Sequence, residues 1–263
     1  MQVKIMKLKK EEARLTYQEA GGIVIITIRR PQRRNALSLD MWRELKRLAK
    51  KALNNKKNRV VIIRGSGKEF TSGSDIKEFH EMTLEEAEAA FVTMEDTISF
   101  IENLPLPTIG VINGPAMGAG LELALACDLR IGSEHARMGI PVGNLGITLN
   151  NKFAHRLVSI LGPSVTKELV YTGKIFSAEE AYEKGLLNRL VPTEKLNRTA
   201  IELAKLISTQ SPASLRAIKQ SVAESINSVP ELWKGSGKFV DPVDFPEGVA
   251  AFVEKRKPNF KNR

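Results

Sequence analysis

Cysteine is almost missing from this chain: Cys127 is the one thiol in 263 residues. A single cysteine excludes an intrachain disulfide and any metal site built on several thiolates. Its setting, LALACDL, marks it as a small core residue rather than a nucleophile. Histidine is scarce too. His80, His135 and His155 lack the short spacing of a metal-ligand motif, so no metal is expected. Apolar stretches stop well before the roughly 18 residues that a membrane span needs. The opening residues, MQVKIMKLKKEEARL, are charged and carry neither an apolar run nor a small-residue cleavage site, so the expected location is cytoplasmic, with no secretory signal. Internal repeats and low-complexity tracts are absent.

What is present suffices for a large core. Hydrophobic residues make up 42% of the chain, enough for one large domain or a domain with an appendage. The net charge of +10 invites polyanionic partners. The basic residues are nevertheless scattered through KLKK, RRPQRR, KRLAKK, NNKKNR and EKRKPNFKNR with few aromatics between them, the pattern of a solvated surface.

Residues 11–30 read as two strands joined at Gly21-Gly22, the second being the β-branched run Ile23 to Ile28. Ser38 is placed to cap a helix in which Met41, Leu45, Leu48, Ala49 and Ala52 recur at helical spacing. Val60 to Arg64 is a buried-strand run that ends in Gly65-Ser66-Gly67, and Phe70 to Lys77 leads into a helix. Residues 83–103 form another helix with Phe91, Met94, Ile98 and Ile101 on one face, closed by Pro105 and Pro107. Helices are predicted over 152–161 and 163–172, split at Gly162-Pro163, and over SAEEAYEKGLL, with Ser177 as cap and Gly185 as stop. A short strand, NRLVP, follows. Residues 194–263 read as helical, broken at SVPELWKGSG and DPVDFPEG. Repeated strand-turn-helix units before a helical tail imply an α/β core over 1–193 and a helical C-terminal region over 194–263.

The chain is organised around Thr108 to Ile131, TIGVINGPAMGAGLELALACDLRI. A strand, Thr108 to Ile112, turns at Asn113-Gly114-Pro115, passes Gly118, Ala119 and Gly120, and enters an apolar helix that carries Glu122. The first N–H groups of a helix have no intrahelical partner and sit at the positive end of its dipole, so they suit an oxygen that becomes negative during a reaction. Small residues at 118–120 let a carbonyl approach that backbone. Glu122 lies among leucines and alanines, which raises a carboxyl pKa toward the range useful for proton transfer; the alternative is a carboxylate held by the helix dipole and doing no chemistry. A second turn of the same kind, 65–77, could supply another N–H to the same oxygen if the fold brings the two together.

Five segments in order, RRPQRRNALSLDM, VVIIRGSGKEFTSGSDIKEF, PTIGVINGPAMGAGLELALACDLRI, GPSVTKELVYTGKIFSAEEAYEKGLLNRLVP and EGVAAFVEKRKPNF, resemble the crotonase superfamily of enoyl-CoA hydratases and isomerases nearly end to end. The resemblance implies a spiral of ββα units with a helical C-terminal region used in trimer formation, assembled as a homotrimer or a hexamer (a dimer of trimers). It implies an acyl-CoA thioester substrate whose carbonyl sits between the amides of Ser74 and Ala119, an oxyanion hole. Asp75, Ile76 and Lys77 are implied CoA-binding positions, with Lys255 meeting the phosphates. Coenzyme A would enter only as part of the substrate, with no separate cofactor.

Two glutamates hold the water in hydratases of this type. Glu122 matches the first; Val142 stands at the second and can neither hold a water nor move a proton. The PVGNLG segment, residues 141–146, is similar to the PVNLG of methylmalonyl-CoA decarboxylase-like members, although Leu149 replaces the tyrosine expected there. Hydratase or isomerase chemistry is therefore the first expectation, and decarboxylation of a carboxyacyl-CoA such as methylmalonyl-CoA the alternative. From other classes come an RNA-binding member using the basic helix KRLAKKALNNKKNR (46–59), although nucleic acid is not the expected partner, and a non-catalytic subunit.

Overall fold

The computed structural model describes residues 14–227, 242 and 244–258. Residues 1–13, the break at SVPELWKGSG, Asp241 and Val243 of DPVDFPEG and the last residues of the C-terminal basic segment lie outside these. The apolar runs seen in the sequence become β1 (Arg14–Ala20), β2 (Ile23–Arg29), β3 (Val60–Gly65) and β4 (Thr108–Ile112), joined by β6 (Leu129–Ser133) and β9 (Arg189–Val191). They form one six-stranded sheet in the order β1-β2-β3-β4-β6-β9. Only the β1–β2 pair, a hairpin turning on Gly21 and Gly22 at positive φ, is antiparallel. All five residues of β4 are buried, as a parallel strand covered on both faces should be.

A smaller sheet, β5-β7-β8, is built from β5 (Pro115–Met117), β7 (Arg137–Gly139) and β8 (Ile175–Phe176). Its strands are only two or three residues long, too short to show an alternating pattern in the sequence. β4 and β5 precede α4 (Ala119–Leu125), and β6 and β7 precede α5 (Asn151–Thr172). Each of these two turns of chain lays one strand in each sheet and then a helix, the ββα unit of the crotonase-type spiral.

The long helices fall where the periodicity puts them. α1 (Leu39–Asn54) is capped by Ser38 and buries Met41, Trp42, Leu45, Leu48, Ala49 and Ala52. α2 (Ile76–Phe79) is a single turn. α3 (Leu84–Glu102) starts with a capping box of Thr83 and Glu86. The helices expected over 152–161 and 163–172 follow each other within α5 and are separated where expected, at Gly162, whose φ of 71° and ψ of 167° are not helical. α6 (Ala178–Glu183) is capped by Ser177. α7 (Thr193–Ser208) lays Leu196, Ala200, Leu203 and Ala204 over Val60, Ile62, Ile109 and Ile131, making a second core on the far face of the large sheet.

α8 (Pro212–Asn227) follows, and α9 (Asp244–Glu254) folds back on α2 and on a 3-10 turn at Pro141–Leu145. The fit at that turn is close: a Cβ on Gly248 would stand 2.4 Å from the Leu145 carbonyl carbon. Phe245 completes an aromatic cluster with Phe79 and Phe91, whose rings stack at 4.8 Å. No helix among the described residues is long and apolar enough to cross a membrane.

Candidate active site

Two bends that are far apart in the sequence run side by side. The Thr71 amide donates to the Pro115 carbonyl (3.1 Å) and the Met117 amide to the Thr71 carbonyl (3.2 Å). Glycines make this approach possible. A Cβ on Gly114 would lie 2.0 Å from the Lys68 carbonyl oxygen, and one on Gly120 would lie 2.5 Å from that of Thr71. Gly73, at φ +94°, leaves its missing Cβ position 3.3 Å from the Ala119 amide nitrogen and 3.4 Å from that of Gly120. Only glycine adopts such a backbone without strain, and only glycine fits the gap.

This packing puts the Ser74 and Ala119 segments next to each other. Leu37 donates to the Gly73 carbonyl (2.8 Å) and accepts from the Asp75 amide (2.9 Å). The amide of Ser74, between them, therefore faces away from Leu37. Ala119 is the first residue of α4, so its N–H has no intrahelical partner. Among the described residues neither amide donates a backbone hydrogen bond outside regular elements. A side chain at Gly118, just before α4, would meet nothing within 4 Å, so the start of that helix borders open space.

Side chains fix this backbone. Ser74 Oγ accepts from the Trp42 indole (3.1 Å) and lies 3.4 Å from Met94 Sδ, which ties it to α1 and α3. Asp75 caps α2 by accepting from the Lys77 amide (3.2 Å), and its other oxygen takes the Arg30 guanidinium at 2.6 Å. The Asp75 carboxylate is thus committed to holding the loop. Ile76 packs against the core. Lys77 is exposed on α2, and Lys255, exposed at φ +56°, follows the α9 helix that packs on α2.

Glu122 is 1% exposed. Its Oε1 accepts from Arg156 Nη1 at 2.8 Å. The same guanidinium grips Glu95 on α3 with two bonds, Nη2 to Oε1 (2.8 Å) and Nη1 to Oε2 (3.2 Å), and Glu102 with two more, Nε to Oε1 (3.1 Å) and Nη2 to Oε2 (2.7 Å). Burial and the nearby Glu95 charge push the Glu122 carboxyl well above the ordinary carboxylate range, against the pull of Arg156. For Glu95, burial is the largest effect and acts upward, but the hydrogen bonds and charge of Arg156, with hydrogen bonds to Glu122 and Ser99, together outweigh it, so it falls to about 2. Burial pushes the Cys127 thiol up to about 12, which leaves it a core residue.

Val142, in the 3-10 turn, is buried. Glu122 lines neither a cavity of about 350 Å³ on the α7 side, bounded by Thr27, Arg64, Asn113 and Asn197, nor a slot of about 10 Å³ beside Ser74, Trp42 and Phe79. Among the described residues no group of His, Cys, Asp and Glu is placed to hold a metal ion.

Glu95 and Arg156 escape a sequence reading because they sit on separate helices 61 residues apart. The one available signal was weak: Glu95 shares α3's inward face with Phe91 and Ile98, where an unpartnered carboxylate would not be buried.

Comparison with known proteins agrees with this architecture. The family described as enoyl-CoA hydratase/isomerase matches residues 18–263. A probable mitochondrial enoyl-CoA hydratase 2 of Arabidopsis thaliana is 37% identical over 250 residues, covering 91% of this chain and 82% of its own length. A short-chain-enoyl-CoA hydratase of Clostridium acetobutylicum is 32% identical, covering 94% and 97%. The crystal structure of an enoyl-CoA hydratase/carnithine racemase from Magnetospirillum magneticum superposes with a TM-score of 0.78 at 32% identity, covering 95% of this chain and 96% of that one.

Proposed function

Since the chain belongs to the enoyl-CoA hydratase/isomerase family, we propose that it binds the carbonyl oxygen of an acyl-CoA thioester between the amides of Ser74 and Ala119. The charge that builds on that oxygen when the substrate becomes an enolate would be met by both N–H groups and the positive end of α4. The observation that carries this reading is the contact of Gly73 with the start of α4. It brings together two amides that, among the described residues, donate no backbone hydrogen bond outside regular elements.

Glu122 would move the proton. In hydration it gives a proton to the α carbon while water adds at the β carbon, and the proton lost by that water restores the acid. A group that is 1% exposed meets a substrate only after the side chains over it part. The CoA moiety would run along Asp75, Ile76 and Lys77, with Lys77 and Lys255 near its phosphates. A homotrimer or hexamer is the assembly that the family resemblance implies.

Val142 favours a second reading. A buried valine where two-glutamate hydratases carry an acid leaves an uncharged wall, beside which a carboxylate can leave as CO2 while the two amides hold the enolate. The test is to incubate the purified protein with crotonyl-CoA, a 3-enoyl-CoA and methylmalonyl-CoA and to separate the products. Hydration or isomerisation supports the first reading and loss of CO2 the second. Intact CoA binding without turnover of any thioester contradicts both and marks a non-catalytic subunit.

A further inference from the structure

The acid of the proposed site has a partner that the family comparison does not assign. Glu95 Oε1 accepts from Arg156 Nη2 (2.8 Å) and Ser99 Oγ (2.6 Å), and its Oε2 from Arg156 Nη1 (3.2 Å) and Asn150 Nδ2 (3.0 Å). Four donors on one buried carboxyl group are the environment of an anion, since an ionised carboxylate only accepts. Among the described residues Glu122 receives a single donor, Arg156 Nη1, which Glu95 shares.

The charges decide between the two. Within the cluster α3 contributes Glu95 and Glu102, α5 contributes Arg156 and, 4.0 Å from Glu95, Lys152, and α4 contributes Glu122. Arg156 and Lys152 balance Glu95 and Glu102. A further negative charge on the buried Glu122 would have only the Arg156 Nη1 that Glu95 already shares, and burying a poorly compensated charge costs more than burying a neutral acid.

We propose that Glu95 is a positioning residue: by taking the Arg156 guanidinium into a two-point grip, it leaves Glu122 holding its proton in the resting protein and so makes Glu122 the acid that protonates the enolate. This rests on the thioester reading of the site and specifies the order of its proton transfers. The proton passes from Glu122 to the α carbon, the charge left on Glu122 is shared through Arg156 Nη1, and water or solvent returns the proton. The same arrangement suits a reaction that makes its enolate without a base, as decarboxylation does, and ends by protonating it.

The test reads the proton directly, without substrate. Infrared spectra of the full chain should show at pH 7 the carbonyl stretch of a protonated carboxyl that disappears in Glu122→Gln. In Glu95→Gln, Arg156 turns to Glu122, and the pH at which the band is lost falls by about one unit or more, a tenfold drop in proton affinity. If Glu95→Gln does not fold, Glu102→Gln, altered at a half-exposed carboxylate, should move the loss in the same direction by less. A wild-type protein without the band at pH 7, or variants that lose it at the wild-type pH, would overturn the proposal. A protein that shows the band and the shift but turns over no thioester would keep this inference and lose the proposed function. Turnover without the band would do the reverse.

Discussion

The α carbon of Gly73 faces the amide nitrogen of Ala119 so closely that a methyl group on it would sit 3.3 Å from that nitrogen and 2.7 Å from the Met117 carbonyl oxygen. Gly73→Ala therefore wedges the two bends apart and also strains a φ of +94°, at a cost of about 1–3 kcal/mol. If the two amides share an oxyanion, kcat should drop by about 100-fold or more, the effect of losing one donor, with a smaller loss of thermal stability. Thioester turnover alongside a melting curve checks this. Unchanged kcat in a folded variant would contradict the oxyanion role.

How much of this was legible beforehand follows from the range of each interaction. Ser38, Thr83 and Ser177 act on amides three residues away, so local sequence places those helix starts. The five buried residues of β4 likewise announce a strand. The short strands β5, β7 and β8 depend on partners elsewhere in the chain and leave no period of their own. At the site, the small residues around Gly118 pointed to a helix start that a ligand can approach. The meeting of Glu95, Glu122 and Arg156 is a product of how α3, α4 and α5 pack, and nothing local to any of the three encodes it.

Val142→Glu restores an acid at the position where two-glutamate hydratases carry one. If the missing second carboxylate limits hydration, crotonyl-CoA hydration should rise by about 10-fold or more, within the usual contribution of a general acid or base. The variant should be less stable, because the new carboxyl is buried. A rate assay with wild type and variant side by side decides it, and no gain in a folded variant removes Val142 as the limiting feature.

Lys77→Ala and Lys255→Ala change exposed side chains. Each should raise KM for an acyl-CoA by about three- to tenfold, with kcat and melting temperature little changed. The effect should shrink at high salt, because exposed charges are screened. Steady-state kinetics at low and high salt checks this. A KM indifferent to both lysines would place the phosphates elsewhere.

Glu95 links stability to acid. Its carboxyl falls to about 2 in the fold from an ordinary value of 4.5, so the native state favours the ionised form. That contribution is present above pH 4.5 and is lost as pH falls toward 2. Urea unfolding between pH 2 and 5 should therefore show wild-type stability falling more steeply than that of Glu95→Gln. Glu122 has the opposite sign. Its raised value favours the protonated form, so its contribution is full at low pH and is lost as pH rises through the native value.

The most direct measurement is thioester turnover by Glu122→Gln, a substitution that keeps the size of the side chain and a hydrogen-bond acceptor for Arg156. The account predicts a loss of about 10²–10⁴-fold in kcat, the worth of a positioned proton donor, with acyl-CoA binding retained. Full activity in that variant, on whichever thioester the wild type converts, would contradict it.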